Sequence, residues 1–185
     1  MGGSLPEQEI REIINLSAMA PQDITTFIET GTYHADTTIE ASKIFDKVYS
    51  IELVEALHQK SKERCKDIEN ITLYLGNTLD HLPSIVKSLE GNVIFFIDAH
   101  QSGPDTSHIG KNVPCLEEID TILTNLSSEC HGIFIIDDVR FWKGSSTPAW
   151  DWADISLVSV EGVFKKHNVS ILKKFLRNDR FMIKF

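Results

Sequence analysis

The sequence predicts an α/β protein: a mostly parallel, seven-stranded sheet with helices on both faces, closed by a C-terminal antiparallel hairpin. Three observations predict it. Short β-rich apolar runs alternate with helical patterns along the whole chain, the pattern of a parallel sheet wrapped by helices. Two of those runs, Val93 to Ile97 and Ile133 to Ile136, are apolar without alternation, as strands covered on both faces must be. The last two runs are separated by Arg177-Asn178-Asp179, too short a link for anything but a hairpin.

Taken in order, Pro6 to Ala18 sets Ile10, Ile13, Ile14 and Leu16 at helical spacing. Thr25 to Glu29 reads as the first strand and Asp36 to Phe45 as a helix. A second strand follows at Lys47 to Leu53, then a helix from Val54 to Ile68 and a third strand from Ile71 to Leu75. Between the apolar strands at 93–97 and 133–136 lie a polar loop, Ala99 to Asn112, and a helix from about Pro114 to Leu126. A loop of that length is commonly functional, and Gly103 and Gly110 would let it fold over a site. After the fifth strand come an aromatic-rich stretch, Phe141 to Ala153, and a helix from Asp154 to His167. The closing strands are Val169 to Phe175 and Arg180 to Phe185.

A chain of 185 residues, 42% hydrophobic and 24% charged, has the balance of one globular domain spanning 1–185. Its net charge of -9 argues against a nucleic-acid partner, because affinity for a phosphate backbone needs clustered cations. From Gly162 to Phe185, however, seven cations stand against the single acid Asp179. A solvated helix and strand pair is the first reading of that stretch, and a docking surface for an acidic partner the second. Cys65, Cys115 and Cys130 lack CxxC spacing, so reduced thiols and a cytoplasmic protein are expected. No apolar run is long enough for a membrane span and no leader pattern opens the chain, so no membrane partner is expected.

In open α/β sheets ligands bind beyond the carboxyl ends of the strands, near the point where strand order reverses. The residues just after the strands are therefore the informative ones. The first strand runs into Glu29-Thr30-Gly31-Thr32, where a glycine would let backbone approach a ligand closely. The second ends in Ser50-Ile51-Glu52, an acid 21 positions beyond Gly31 that can accept the hydroxyl protons of a ribose. Glu52 capping the following helix is the plainer reading. The third strand ends in Gly76-Asn77-Thr78, a turn on the same rim where an adenine ring could lie.

These turns, with Asp98-Ala99-His100 after the fourth strand and Asp137-Asp138 after the fifth, resemble the class I S-adenosylmethionine-dependent methyltransferases, which have a Rossmann-like fold. The pattern spans Phe27 to Arg140. The resemblance implies a donor site of Glu29, Thr30, Gly31, Thr32, Glu52, Asn77 and Asp98, with the first turn at the donor's amino-acid end and Glu52 at the ribose. It divides the chain into an N-terminal helix at about 6–18, a donor-binding half at about 25–90 and a metal and acceptor half at about 91–185. One departure stands out: the family usually carries a second glycine four residues after the first, where this chain has Ala35.

Adjacent strands lie about 4.8 Å apart, so Asp98, Asp137 and Asp138 on neighbouring strand ends would repel one another unless protonated or neutralised by a cation. Oxygen ligands suit magnesium, manganese or calcium, magnesium first. Asp137 and Asp138 can converge only if the strand has already ended, because successive strand residues face opposite ways. The same residues resemble those of metal-dependent sugar O-methyltransferases, including the macrocin type. That resemblance implies a divalent cation at Asp98, Asp137 and Asp138, a base at Asp98 or His100, and a hydroxyl acceptor on a glycan or other small molecule. Phe141, Trp142, Trp150 and Trp152 are expected either to stack on that acceptor or to be core. The alternatives are a dinucleotide oxidoreductase, since Glu52 would serve NAD equally well, and a binding module without activity. The chain is short for a fold that must also hold an acceptor, so a homo-oligomer completing the pocket is expected as an option.

Overall fold

In β1 (Ile24–Thr30) the consecutive residues Phe27 and Ile28 are both fully buried, one on each face of the sheet. The same holds for β4 (Asn92–Ile97) and β5 (Gly132–Ile136): Phe95, Ile97, Phe134 and Ile136 face one layer, Ile94, Phe96, Ile133 and Ile135 the other. Helices above and below leave neither side to water, so the strands carry no polar alternation. Each fully buried aliphatic or Phe side chain here contributes ~1.5–3 kcal/mol of transfer free energy. The computed structural model describes residues 3–100, 113–147 and 149–185. The polar loop's Gly103 and Gly110 lie outside the described residues.

The sheet is completed by β2 (Lys47–Glu52), β3 (Ile71–Leu75), β6 (Lys173–Arg177) and β7 (Arg180–Lys184), in the order β3-β2-β1-β4-β5-β7-β6. The first five strands are parallel, while β7 runs antiparallel to both β5 and β6. Strand order reverses between β1 and β4. Helices α1 (Glu7–Ser17) and α2 (Asp36–Ser42) cover one face through Ile10, Ile13, Ile14 and Ala41. The other face is covered by α4 (Thr78–Lys87), α5 (Cys115–Asn125) and α6 (Leu157–Lys166), through Leu82, Ile85, Ile119, Ile122, Val160 and Phe164. Helix α3 (Glu55–Cys65) runs along β2 and β3. No helix among the described residues is long and apolar enough to cross a membrane.

Several element boundaries differ from the sequence reading, and three differences have a clear physical reason. Helix α4 carries Pro83 in its interior, which hides its helical pattern, yet Asn77 caps its start and Leu82, Ile85 and Val86 are buried. Strand β6 runs Lys173–Arg177, not Val169 to Phe175: its start pairs with Lys184 at the end of β7, and a two-residue turn lets it continue to Arg177, paired with Arg180; Asn178, at φ 52, takes the left-handed conformation the tight turn needs. Helix α6 starts at Leu157, where Ser156 and Ser159 form a reciprocal capping box that sets the boundary.

The basic C-terminal stretch finds its partners within the chain. Lys166 pairs with Asp120, Lys174 with Glu161, Arg177 with Glu12, and Arg180 with Glu9. Lys173 and Lys184 donate to the carbonyls of Leu16 and Ser17 at the end of α1. The acid-rich first helix and the basic hairpin are thus complementary surfaces of one fold.

Candidate active site

Strand register sets every strand-end residue at one level. Thr30 pairs with Ile51 and with Ile97, and Ile97 pairs with Ile136. Gly31, Glu52, Asp98 and Asp137 are therefore each at or just beyond the same row of the sheet, on the rim where β1 and β4 part. Gly31, at φ +85, brings its backbone against the end of β4: a Cβ built there would lie 2.9 Å from the Asp98 carbonyl oxygen. The close approach that requires this glycine in the folded chain is thus between two strand ends. The Gly31 and Thr32 amides both donate to the Ile51 carbonyl.

Glu29 is buried at the end of β1. One of its oxygens accepts from the hydroxyls of Thr38 (2.5 Å) and Ser50 (2.6 Å), and Ser50 also meets the Thr32 hydroxyl at 2.6 Å. Burial pushes the Glu29 carboxyl up to about 7, against the lowering effect of those two hydroxyls. Ser50 and Thr38 carried no sequence signal, since a serine inside a strand and a threonine inside a helix are common.

Glu52 is nearly sealed from solvent. It accepts from the backbone amides of Tyr33 (2.7 Å) and Val54 (2.8 Å), so it fixes the turn after β1 and the start of α3 together. A carboxylate offers about four lone-pair positions, so acceptor capacity remains for ribose hydroxyls. The capping role and the ligand role are compatible. Asn77 is the N-cap of α4, its side-chain oxygen accepting from the Leu79 amide at 3.0 Å, which leaves its amide nitrogen as the group a base could meet. Thr30 faces inward: its hydroxyl donates to Glu118 and accepts from the Asp98 amide, both at 3.1 Å. Ala35 is buried at φ 63, in a left-handed conformation that ordinarily favours glycine.

Strand β5 ends at Ile136, so Asp137 and Asp138 lie beyond its pleat, and Asp138 at φ 60 swings its side chain round. His100 Nε2 lies 2.8 Å from Asp138 Oδ2, and His100 Nδ1 lies 3.5 Å from Asp98 Oδ1. Ligand atoms of Asp98, His100 and Asp138 lie within 4.8 Å of one another; so do those of Asp137, Asp138 and Asp179. The expected trio is thus split. Asp98 and Asp138 share a focus with His100, while Asp137 accepts from the Asp138 amide at 2.8 Å and turns its other oxygen toward Arg180 at 3.4 Å.

The chain brings cations of its own. Arg140 pairs with both Asp138 and Asp179, and Arg180 reaches Glu9 at 3.0 Å, Asp137, and the Gly3 carbonyl at 2.7 Å. Among the described residues, Glu9, Asp137, Asp138 and Asp179 meet these two guanidinium groups and Asp98 and Asp138 meet His100, a set of acidic oxygens that could hold a divalent cation. Burial, and then the charges of Asp137 and Asp138, push Asp98 well above the usual carboxylate range. Burial raises Asp137 as well, against the pull of Arg180. Burial acts on Asp138 in the same direction, but the hydrogen bond and charge of His100, with Arg140 and Arg180, outweigh it and leave that carboxyl lowered. Arg180 and Asp179 were missed in the sequence because they belong to the hairpin, more than forty positions along the chain from Asp137 and Asp138.

Of the aromatic residues, Trp142 is core, packed edge-on against Phe181 with centroids 5.9 Å apart. Trp152 meets the His100 ring at 5.2 Å and Phe141 at 5.9 Å, and so walls the acidic focus. The side chain of Trp150 lies outside the described residues.

No protein-family model and no curated protein matches this chain in sequence. Solved structures match in shape. A putative caffeoyl-CoA O-methyltransferase from Staphylococcus aureus superposes with a TM-score of 0.63 at 17% identity, over 100% of this chain and 84% of that one. A putative methyltransferase from Streptococcus mutans, solved in complex with SAH, gives 0.58 at 18% identity, over 100% of this chain and 99% of that one. A ribosomal protein L11 methylase from Lactobacillus delbrueckii subsp. bulgaricus gives 0.59 at 15% identity, over 100% and 79%. At these identities the likeness is one of architecture: the chain has the Rossmann-like methyltransferase fold.

Proposed function

We propose that this protein is an S-adenosylmethionine-dependent methyltransferase that methylates a hydroxyl oxygen on a glycan or other small molecule with the help of a divalent cation. The observation that carries the reading is that Gly31, Glu52, Asp98 and Asp137 follow four neighbouring strands at one level, at the point where strand order reverses. The neighbours' fold supports it, since one of them was solved in complex with SAH. The strand order argues against an NAD enzyme, because a dinucleotide fold runs 3-2-1-4-5-6 without an antiparallel strand inserted beside β5.

In this reading Glu29 receives the donor's ammonium, Thr30, Gly31 and Thr32 shape the first turn, and Glu52 accepts the ribose hydroxyls. Asn77 offers its amide nitrogen to the adenine, and Asp98 borders the reacting methyl group. Asp98 and Asp138, with Asp137 behind them, would hold the cation; their all-oxygen donor set suits magnesium, manganese or calcium. When bound, such a cation supplies positive charge beside the acceptor oxygen and eases loss of its proton. His100, oriented by Asp138, takes that proton at Nδ1. The oxygen–carbon bond then forms in line as the carbon–sulfur bond breaks, and sulfur leaves with the electron pair as a neutral thioether.

Calorimetric titration tests the reading. S-adenosylmethionine and its demethylated product are expected to bind and NAD not to, with turnover of a hydroxylated acceptor lost in chelator and restored by magnesium. Binding of NAD in place of the methyl donor would end it.

A further inference from the structure

Glu118 on α5 is fully buried, with no basic side chain among the described residues acting on its carboxyl. Its Oε2 accepts from the Thr30 hydroxyl at 3.1 Å. The Thr78 hydroxyl is close enough to favour the charged form, yet Oε1 lacks a well-formed hydrogen bond. A half-satisfied buried carboxyl is destabilising, and an apolar residue of the same size would pack there without that penalty. Such a group in an otherwise apolar layer of Ile119, Ile122 and Leu82 calls for a reason.

Its position supplies one. Thr30 ends β1 and leads into Gly31, Thr78 follows Asn77 at the head of α4, and the Thr30 hydroxyl that donates to Glu118 also accepts from the Asp98 amide. One carboxyl thus meets two of the rim segments directly and the third through a single hydroxyl. The rim tolerates little movement, because the Gly31 backbone already lies against the Asp98 carbonyl. If Thr30 changed rotamer, the Asp98 amide would lose its acceptor and the end of β4 could shift against the turn.

We propose that Glu118 is a positioning residue for the donor pocket: through Thr30 it holds the end of β4 and the first turn at the spacing the methyl donor requires. It touches neither donor nor acceptor. The inference rests on the methyltransferase reading above, and it adds a residue that the strand-end motifs do not include.

The test compares Glu118→Met and Glu118→Gln with the wild-type chain. The readouts are affinity for S-adenosylhomocysteine, thermal stability, and hydrogen exchange at the Asp98 amide. The Met variant is expected to be at least as stable as wild type, to bind the nucleoside roughly tenfold more weakly, and to exchange the Asp98 amide faster. The Gln variant keeps a carbonyl acceptor for Thr30 and is expected to restore both affinity and protection. A merely structural carboxyl would move stability and leave affinity alone, so a Met variant with wild-type affinity, or unchanged Asp98 exchange, overturns the proposal. Failure of the wild-type chain itself to bind the nucleoside would overturn the methyltransferase reading and this proposal with it; wild-type affinity in the Met variant, with the wild-type chain binding, would overturn only the role of Glu118.

Discussion

Glu29 and Glu118 are sealed from water, and burial raises each carboxyl to about 7 from an ordinary value of 4.5. Glu29 is faced by the Thr38 and Ser50 hydroxyls and the charges of Glu52 and Asp36, Glu118 by Thr30, Thr78 and Glu117. Between these two values the folded state holds protons that the unfolded chain has released, so a rise in pH favours unfolding. Stability is therefore expected to fall as pH climbs from about 4.5 to about 7, by on the order of 3 kcal/mol for each group at most. His58, buried and lowered from 6.5, works in the opposite sense and destabilises the fold as pH drops below that value. Urea denaturation at several pH values should therefore compare variants with wild type: Glu29→Gln and Glu118→Gln should each remove part of the downward slope. Parallel curves for all three proteins would contradict the burial argument. Backbone conformation gives a second contrast at this scale. Gly31→Ala adds both left-handed strain and a Cβ 2.9 Å from the Asp98 carbonyl, and should cost about 2 kcal/mol or more. Ala35→Gly relieves strain at φ 63 and gives back chain entropy, so its stability should change by less than about 1 kcal/mol, as a melting curve can check.

Among the elements, α6 owes its start to the Ser156–Ser159 capping box, and Ser156→Ala should cost about 1 kcal/mol in denaturant without touching the rim. The β6–β7 hairpin has a larger reach. Its turn residue Asp179 accepts from the backbone amides of Val139 and Arg140 and pairs with the Arg140 guanidinium, while Arg177 and Arg180 tie the same hairpin to Glu12 and Glu9 of α1. Helix, hairpin and the segment after β5 form one continuous set of polar contacts ending at Asp138. Asp179→Ala removes the acceptor for the Arg140 amide and should lower stability by about 1–2 kcal/mol. Because Asp138 is then the one carboxylate among the described residues that Arg140 still pairs with, activity should fall further than the stability loss accounts for. Equal loss of activity in an equally destabilised Ser156→Ala control would show that the hairpin has no such influence.

Over the whole molecule, acidic groups converge on one rim and the basic C-terminal stretch only partly balances them. A divalent cation that binds the folded state alone adds about 2.7 kcal/mol at a concentration one hundred times its dissociation constant. For a chain of this size that corresponds to a rise of roughly 5–10 °C in melting temperature. Magnesium or manganese should produce that shift in the wild-type chain and not in Asp138→Asn. An equal shift in both would place the cation elsewhere.

Sheet, strand number and closing hairpin were legible in the sequence because they rest on local patterns: apolar runs covered on both faces, helical spacing, and a link too short to cross the sheet. The strand-end residues were legible for a related reason, since parallel strands of similar length bring their ends to one level. What only the tertiary structure decided are contacts between segments far apart in sequence. Gly31 answers to the backbone of Asp98, Glu52 is held by the amides of Tyr33 and Val54, and Arg180 reaches Asp137 across 43 positions. Glu118 shows the difference most plainly. In the sequence it is one more acid on an amphipathic helix, and only the burial of that helix against Thr30 makes its carboxyl part of the site, because solvation depends on what lies opposite a residue and periodicity reports only which way it faces.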